Sequence, residues 1–363
     1  MALDLDSRPI LVFWETTKAC SLACRHCRAE AQPRPAPGEL DDAEARAFID
    51  SLAGFGRPRP VLIATGGDVL ERRGIDDLID HAVAQDVPLA LAPSVTRRLT
   101  DARVEELRRL GVRIVSISLD GAEPATHDGI RGVAGHHAKT LDAIRRFRRH
   151  GVAVQVNTVV MRDTVEELPT ILRLVSEAGA SVWELFFLIQ VGRGRAIGEL
   201  TPEENEDVCH FLVDASRYGI VVRTVEAPFF RRVVAERAGG AAPVRGALYE
   251  RLSARLHEEL GPPQTRSRAQ TKGTRDGRGI IFVGHDGTIH PSGFLPLALG
   301  NVREDSLAEV YREHPLLRQI RNAEFGGRCG TCDFRDLCGG SRARAFAATG
   351  DALAADPACV LAA

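Results

Sequence analysis

The stretch Thr16-Thr17-Lys18-Ala19-Cys20-Ser21-Leu22-Ala23-Cys24-Arg25-His26-Cys27 follows the apolar run Ile10-Leu11-Val12-Phe13-Trp14 and decides how the rest of the chain is read. Cys20, Cys24 and Cys27 make C-x3-C-x2-C, so a strand delivers a short loop carrying three soft thiol ligands. A structural zinc ion or a fully held 4Fe-4S cluster takes four protein ligands, and this group offers three. An iron–sulfur cluster with one iron left open to bind a small molecule suits that donor set. The alternatives are a zinc site that recruits a distant fourth ligand, or three unrelated buried thiols.

The spacing resembles the signature of the radical S-adenosylmethionine (SAM) superfamily. The resemblance implies that Cys20, Cys24 and Cys27 hold a 4Fe-4S cluster whose open iron chelates the methionine moiety of SAM. It further implies reductive cleavage of SAM to a 5'-deoxyadenosyl radical that takes a hydrogen atom from a substrate.

Outward from this loop, six apolar runs alternate with helical patterns: Ile10-Trp14, Val61-Thr65, Leu89-Ala92, Ile114-Leu119, Val152-Val159 and Val182-Ile189. Helix periodicity lies between them, as in Ile75, Leu78, Ile79 and Ala82. Such alternation predicts an α/β fold with a parallel sheet, whose ligands sit at the C-terminal ends of the strands. The resemblance specifies a partial (β/α)6 TIM-type barrel with a small C-terminal iron–sulfur domain. The expected division is a barrel over 1–200, a helical bridge and basic flexible loop over 201–279, and the auxiliary domain over 280–363. A hairpin of Ile280-Val283 and Thr288-His290 opens that last part.

The loop after the second strand reads Gly66-Gly67-Asp68. Paired glycines let a backbone approach a ligand closely, although a plain turn explains them as well. By resemblance to a Gly-Gly-Glu motif, they and Asp68 meet the amino group of SAM. The fourth strand ends at Ser118, and Arg131 follows in His127-Asp128-Gly129-Ile130-Arg131. In the resembled family these two positions contact the ribose or carboxylate of SAM. A guanidinium suits a carboxylate because it offers two parallel N–H donors.

Near the C-terminus Cys329, Cys332 and Cys338 make C-x2-C-x5-C, with Cys359 further on. Clustered thiols of this kind are a metal signal that zinc or an iron–sulfur cluster satisfies. The segment resembles the SPASM extension of radical SAM enzymes, with Arg342 and Ser292 where cysteines of a first auxiliary cluster often stand. The resemblance thus implies one auxiliary 4Fe-4S cluster held by Cys329, Cys332, Cys338 and Cys359. Phe13-Trp14-Glu15-Thr16-Thr17, Gly300-Asn301-Val302-Arg303 and Cys338-Gly339-Gly340-Ser341 are similar to the branch of haem-forming and denitrification-haem enzymes.

The formal net charge of -2 gives no whole-chain argument for nucleic acid or an anionic membrane. The absence of a long apolar run and of a signal-like N-terminus points to a cytoplasmic protein without a membrane span. Eight cysteines in that setting indicate metal chemistry rather than disulfides. The expected substrate is a tetrapyrrole whose propionates are oxidatively decarboxylated, or a ribosomally made peptide, with a flavodoxin- or ferredoxin-type reductant. The basic residues Arg266, Arg268, Lys272, Arg275 and Arg278 favour an anionic substrate if their loop closes over the barrel. A non-catalytic iron–sulfur electron carrier and a zinc-stabilised scaffold are the competing classes.

Overall fold

The computed structural model describes residues 4–243, 245–271 and 273–362. Among the described residues the strands are β1 (Leu11–Glu15), β2 (Val61–Thr65), β3 (Leu89–Leu91), β4 (Ile114–Ser118), β5 (Ala153–Val160), β6 (Val182–Phe187), β7 (Val221–Val225), β8 (Ile280–Val283), β9 (Thr288–His290) and β10 (Gly300–Asn301). Two compact units are drawn from the chain: one from Met1–Ile117, Arg146–Ala153 and Thr274–Asn322, the other from Ser118–Arg145, Val154–Gly273 and Ala323–Ala363.

In the first unit β8, β1, β2, β3 and β4 run parallel, with Leu11 in register with Val61 on one side and Ile280 on the other. β9 and β10 continue antiparallel from β8. The helix Asp42–Ser51 starts on a capping box in which Asp41 and Glu44 exchange bonds, which satisfies two otherwise orphaned N–H groups. Its Ala45, Phe48 and Ile49 are buried, as are Ile75, Leu78, Ile79 and Ala82 of the helix Ile75–Ala84. Ala45, Phe48, Ile49, Leu78 and Ala82 join Val12, Trp14, Leu62, Ile281 and Val283 in one core. Burial of each of the larger aliphatic or phenylalanine side chains contributes about 1.5–3 kcal/mol before entropy. Trp14 meets Phe48 edge-on at 5.4 Å, so the strand that leads into the cysteine loop is anchored one residue before its end.

In the second unit β5, β6 and β7 are parallel, and β5 alternates half-buried and buried residues along its whole length. The helix Pro202–Ala215 begins with Thr201 as N-cap, Glu204 completing the capping box and Pro202 in the first turn. Most of its residues are buried, including Cys209, which is a core thiol.

Three expectations change. The stretch 239–279 is not loop throughout, because Ala247–Leu260 forms a helix that buries Leu248, Leu252 and Leu256 at four-residue spacing. The basic residues in it do not form one mobile patch. Arg266 and Arg268 are exposed in the second unit, whereas Arg275 is buried and Arg278 lies 3.7 Å from Asp6 in the first. Lys272 lies outside the described residues. The hairpin β8–β9 is present, but β8 pairs in parallel with β1 instead of opening a separate domain. Its run Ile-Ile-Phe-Val is buried on both faces, which is what an interior parallel strand needs. Residues 323–363 belong with the second unit.

Candidate metal centres

The cysteine loop leaves β1 at Glu15 and is closed by a bridge in which Cys20 N donates to Gln32 O at 2.8 Å and Gln32 N to Lys18 O at 2.9 Å. Within it, Leu22 N donates to Cys20 Sγ and Ala31 N to Cys27 Sγ, each at 3.4 Å. Such N–H donors favour the thiolate over the thiol, the form in which sulfur binds a metal. Burial opposes them at Cys20 and pushes its thiol up. Glu39 shapes the loop from outside, with Oε1 accepting from Thr17 Oγ1, Lys18 N and Ala36 N at 2.9 Å each.

Gly66 and Gly67 approach this loop directly. Gly67 N donates to Thr17 O and Asp68 N to Ala19 O, both at 2.7 Å. A Cβ at Gly67 would stand 2.7 Å from Lys18 O and collide with the Ala19 carbonyl. The close approach that paired glycines permit is therefore used on the backbone of the cysteine loop. Asp68 is completely buried: Oδ1 accepts from Leu70 N at 3.1 Å and Ser94 N at 3.2 Å, and Oδ2 from Thr96 Oγ1 at 2.9 Å. Burial pushes its carboxyl up, against those donors. Instead of presenting a free carboxylate at the strand end, Asp68 ties the β2 loop to the segment after β3. Ser94 continues the tie, its hydroxyl accepting or donating across 3.8 Å to Cys20 Sγ.

Glu15, Arg28 and His285 form a second support that spacing in the sequence does not signal. Arg28, next to Cys27, donates from Nη2 to Glu15 Oε1 at 3.1 Å and from Nη1 to Gly293 O at 3.0 Å, with its guanidinium 4.8 Å from the Phe282 ring centroid. His285 Nδ1 lies 3.1 Å from the other Glu15 oxygen. Burial raises the Glu15 carboxyl, but Arg28 and His285 outweigh it and hold it below its usual range.

In the second unit Ser118 is half-buried at the end of β4, and its hydroxyl has no partner among the described residues. Arg131 is buried and its guanidinium is paired with the carboxylate of Asp120, which is fully buried. It is thus already committed to a carboxylate of the protein. Asp120 N donates to His127 Nδ1 at 3.2 Å, and His127 Nε2 lies 2.9 Å from His136 Nδ1. Thr140 Oγ1 touches both rings at 3.3 and 3.1 Å. Burial, and then Arg131, push His127 down to about 3, so the ring is neutral. On β5, Thr158 donates to Leu119 O and accepts from Trp183 Nε1, which makes it structural.

Cys329, Cys332, Cys338 and Cys359 line one pocket, together with Phe334, Gly339 and Gly340. No three His, Cys, Asp or Glu side chains among the described residues converge as a single ion requires. Four thiols lining one pocket are a donor set that a zinc ion or an iron–sulfur cluster could use. Burial pushes Cys338 up to about 12 and also raises Cys359, so metal binding there displaces protons.

The Radical SAM superfamily model matches residues 14–175. The chain is 35% identical over 357 residues to the AdoMet-dependent heme synthase of Oleidesulfovibrio alaskensis, covering 96% of this chain and 86% of that protein. It is 34% identical to the AdoMet-dependent heme synthase of Methanosarcina barkeri, covering 99% and 98%. Among solved structures, SuiB of Streptococcus suis bound to its precursor peptide SuiA superposes with a TM-score of 0.71 at 13% identity, covering 98% of this chain and 76% of that one. That likeness is one of fold: mixed α/β with a parallel sheet, as in a partial barrel.

Proposed function

This chain belongs to the radical SAM superfamily, and from that premise we propose that it forms haem by SAM-dependent oxidative decarboxylation of tetrapyrrole propionates. It is a radical SAM enzyme, and its family implies a 4Fe-4S cluster and SAM. The observation that carries the substrate reading is near-full-length similarity to two AdoMet-dependent heme synthases.

Cys20, Cys24 and Cys27 would hold the SAM-binding cluster, which when loaded supplies the electron that splits SAM into methionine and a 5'-deoxyadenosyl radical. Leu22 N–H and Ala31 N–H donate to the sulfurs of Cys20 and Cys27. Gly66, Gly67 and Asp68 hold the loop that carries them. Arg131, through its pair with Asp120, orders the segment after β4.

In the overall change a hydrogen atom leaves a propionate, its C–COO bond breaks, carbon dioxide departs and a vinyl group forms. One electron is left over for each propionate. Cys329, Cys332, Cys338 and Cys359 would hold an auxiliary 4Fe-4S cluster to accept it; their common cavity supports this. The starting electron comes from an external donor of flavodoxin or ferredoxin type. Among the described residues no helix is long and apolar enough to cross a membrane.

A peptide substrate is the second reading, favoured by the fold likeness to SuiB. An anaerobic assay with reductant and SAM separates the two: iron-coproporphyrin is expected to yield 5'-deoxyadenosine and to lose carbon dioxide. SAM cleavage untouched by the tetrapyrrole, with a peptide losing two hydrogens instead, would transfer the assignment to peptide modification.

A further inference from the structure

Arg342 is fully buried in the first turn of the helix Arg342–Thr349. Its guanidinium lies 4.4 Å from the Phe325 ring centroid. Nη1 donates to the carbonyls of Ala352 at 3.1 Å and Ala354 at 2.7 Å, and Nε to Gly340 O at 3.3 Å. Nη2 points to Cys329 Sγ at 3.8 Å. A second donor, Asp356 N, reaches the same sulfur at 3.4 Å. The fit is close: a Cβ on Gly340 would overlap Arg342 Nη2 and stand 3.0 Å from Cys329 Sγ.

A neighbouring buried arginine provides the contrast. Arg344 Nη1 faces both oxygens of Asp356 at 3.3 Å, so its charge is opposed by a carboxylate. At Arg342 it is a cysteine sulfur that Nη2 reaches. A buried cation is costly unless negative charge stands against it. A cluster held in the four-cysteine cavity would set negative charge beside this guanidinium.

We propose that Arg342 is a positioning residue that fixes the Cys329 sulfur as a ligand and raises the reduction potential of the group bound by Cys329, Cys332, Cys338 and Cys359. This rests on the auxiliary-cluster reading given above. Reduction adds one electron and breaks no bond at the protein. A fixed cation beside a ligand sulfur, screened from water, lowers the cost of that electron, and N–H donors to the sulfur act in the same direction. The consequence is a better acceptor for the electron that substrate oxidation releases.

The test uses the full chain carrying Cys20→Ala, Cys24→Ala and Cys27→Ala, so that one cluster gives the signal, and follows reduction by electron paramagnetic resonance. Arg342→Gln is expected to keep about four irons per chain. Its reduction equilibrium constant is expected to fall at least tenfold, about 59 mV for a one-electron couple. Arg342→Lys, which keeps the charge, is expected to recover most of that shift. Should Arg342→Gln lose its iron, retention of iron and potential by Arg342→Lys supports the proposal. Loss of iron from both variants, or an equal shift in both, assigns Arg342 to packing and overturns it. Full iron with an unmoved potential in Arg342→Gln overturns it while leaving the cluster reading intact; zinc in place of iron in the parent removes the cluster reading as well.

Discussion

Arg131 places its guanidinium on the buried carboxylate of Asp120, whose other oxygen accepts the Val159 N–H at 2.9 Å. Removing one partner of such a pair strands a charge, at a cost of about 3–5 kcal/mol. Arg131→Ala is therefore expected to lose stability by that order in urea unfolding. Asp120→Asn combined with Arg131→Met is expected to recover most of it. If Arg131→Ala unfolds like the parent and only SAM binding weakens, the pair is not what Arg131 maintains.

Gly67→Ala is expected to cost the first cluster and spare the second. Its new methyl group meets the carbonyls of Lys18 and Ala19, which cannot retreat without moving Cys20. Iron analysis of anaerobically reconstituted protein should fall from about eight to about four per chain. An undiminished iron content would show that the loop yields without losing its ligands.

The two cysteine groups should load independently. Cys20→Ala, Cys24→Ala and Cys27→Ala together, or Cys329→Ala, Cys338→Ala and Cys359→Ala together, should each leave about four irons. Only the first set is expected to abolish SAM cleavage, because the second has no open ligand position. Equal loss of SAM cleavage from both sets would contradict the assignment.

His127 makes stability depend on acidity. Its ring is neutral in the fold with a value of about 3, against the ordinary 6.5 that it regains on unfolding. Between these values the unfolded chain binds more protons, so stability is complete above 6.5 and declines as the pH falls toward 3. By about pH 5 the loss amounts to about 2 kcal/mol. His127→Gln is expected to flatten this slope in urea unfolding at the two acidities; an unchanged slope would place the acid sensitivity elsewhere.

Sequence reading recovered what local chemistry specifies. The spacing of Cys20, Cys24 and Cys27 constrains one loop, and the alternation along β5 declares a half-buried strand without help from distant residues. What it missed depends on partners far along the chain. Asp68 looks like a free acid until Ser94 and Thr96 arrive from beyond β3 to occupy it. The run Ile280-Ile281-Phe282-Val283 pairs as readily with a hairpin as with β1, and only the core it shares with Val12 and Trp14 decides. Leu248, Leu252 and Leu256 carry a helical period, but it is short and lies between the breakers Gly239-Gly240 and Pro262-Pro263, so local sequence alone does not separate helix from loop there.

The parallel pairing of β1 with β8 has a consequence for biosynthesis. A strand made among the first residues acquires its second neighbour only after residue 283 has been translated. At about 5–20 residues per second that interval is roughly a quarter of a minute to one minute. During it the strand that presents the three N-terminal thiols has an open edge, and residue 285, whose imidazole braces Glu15, has not yet been made. Until then the strand that leads into the three N-terminal thiols lacks both a hydrogen-bonding neighbour on one edge and the imidazole that braces its last residue, so the surroundings of the cysteine loop are completed from the far end of the chain.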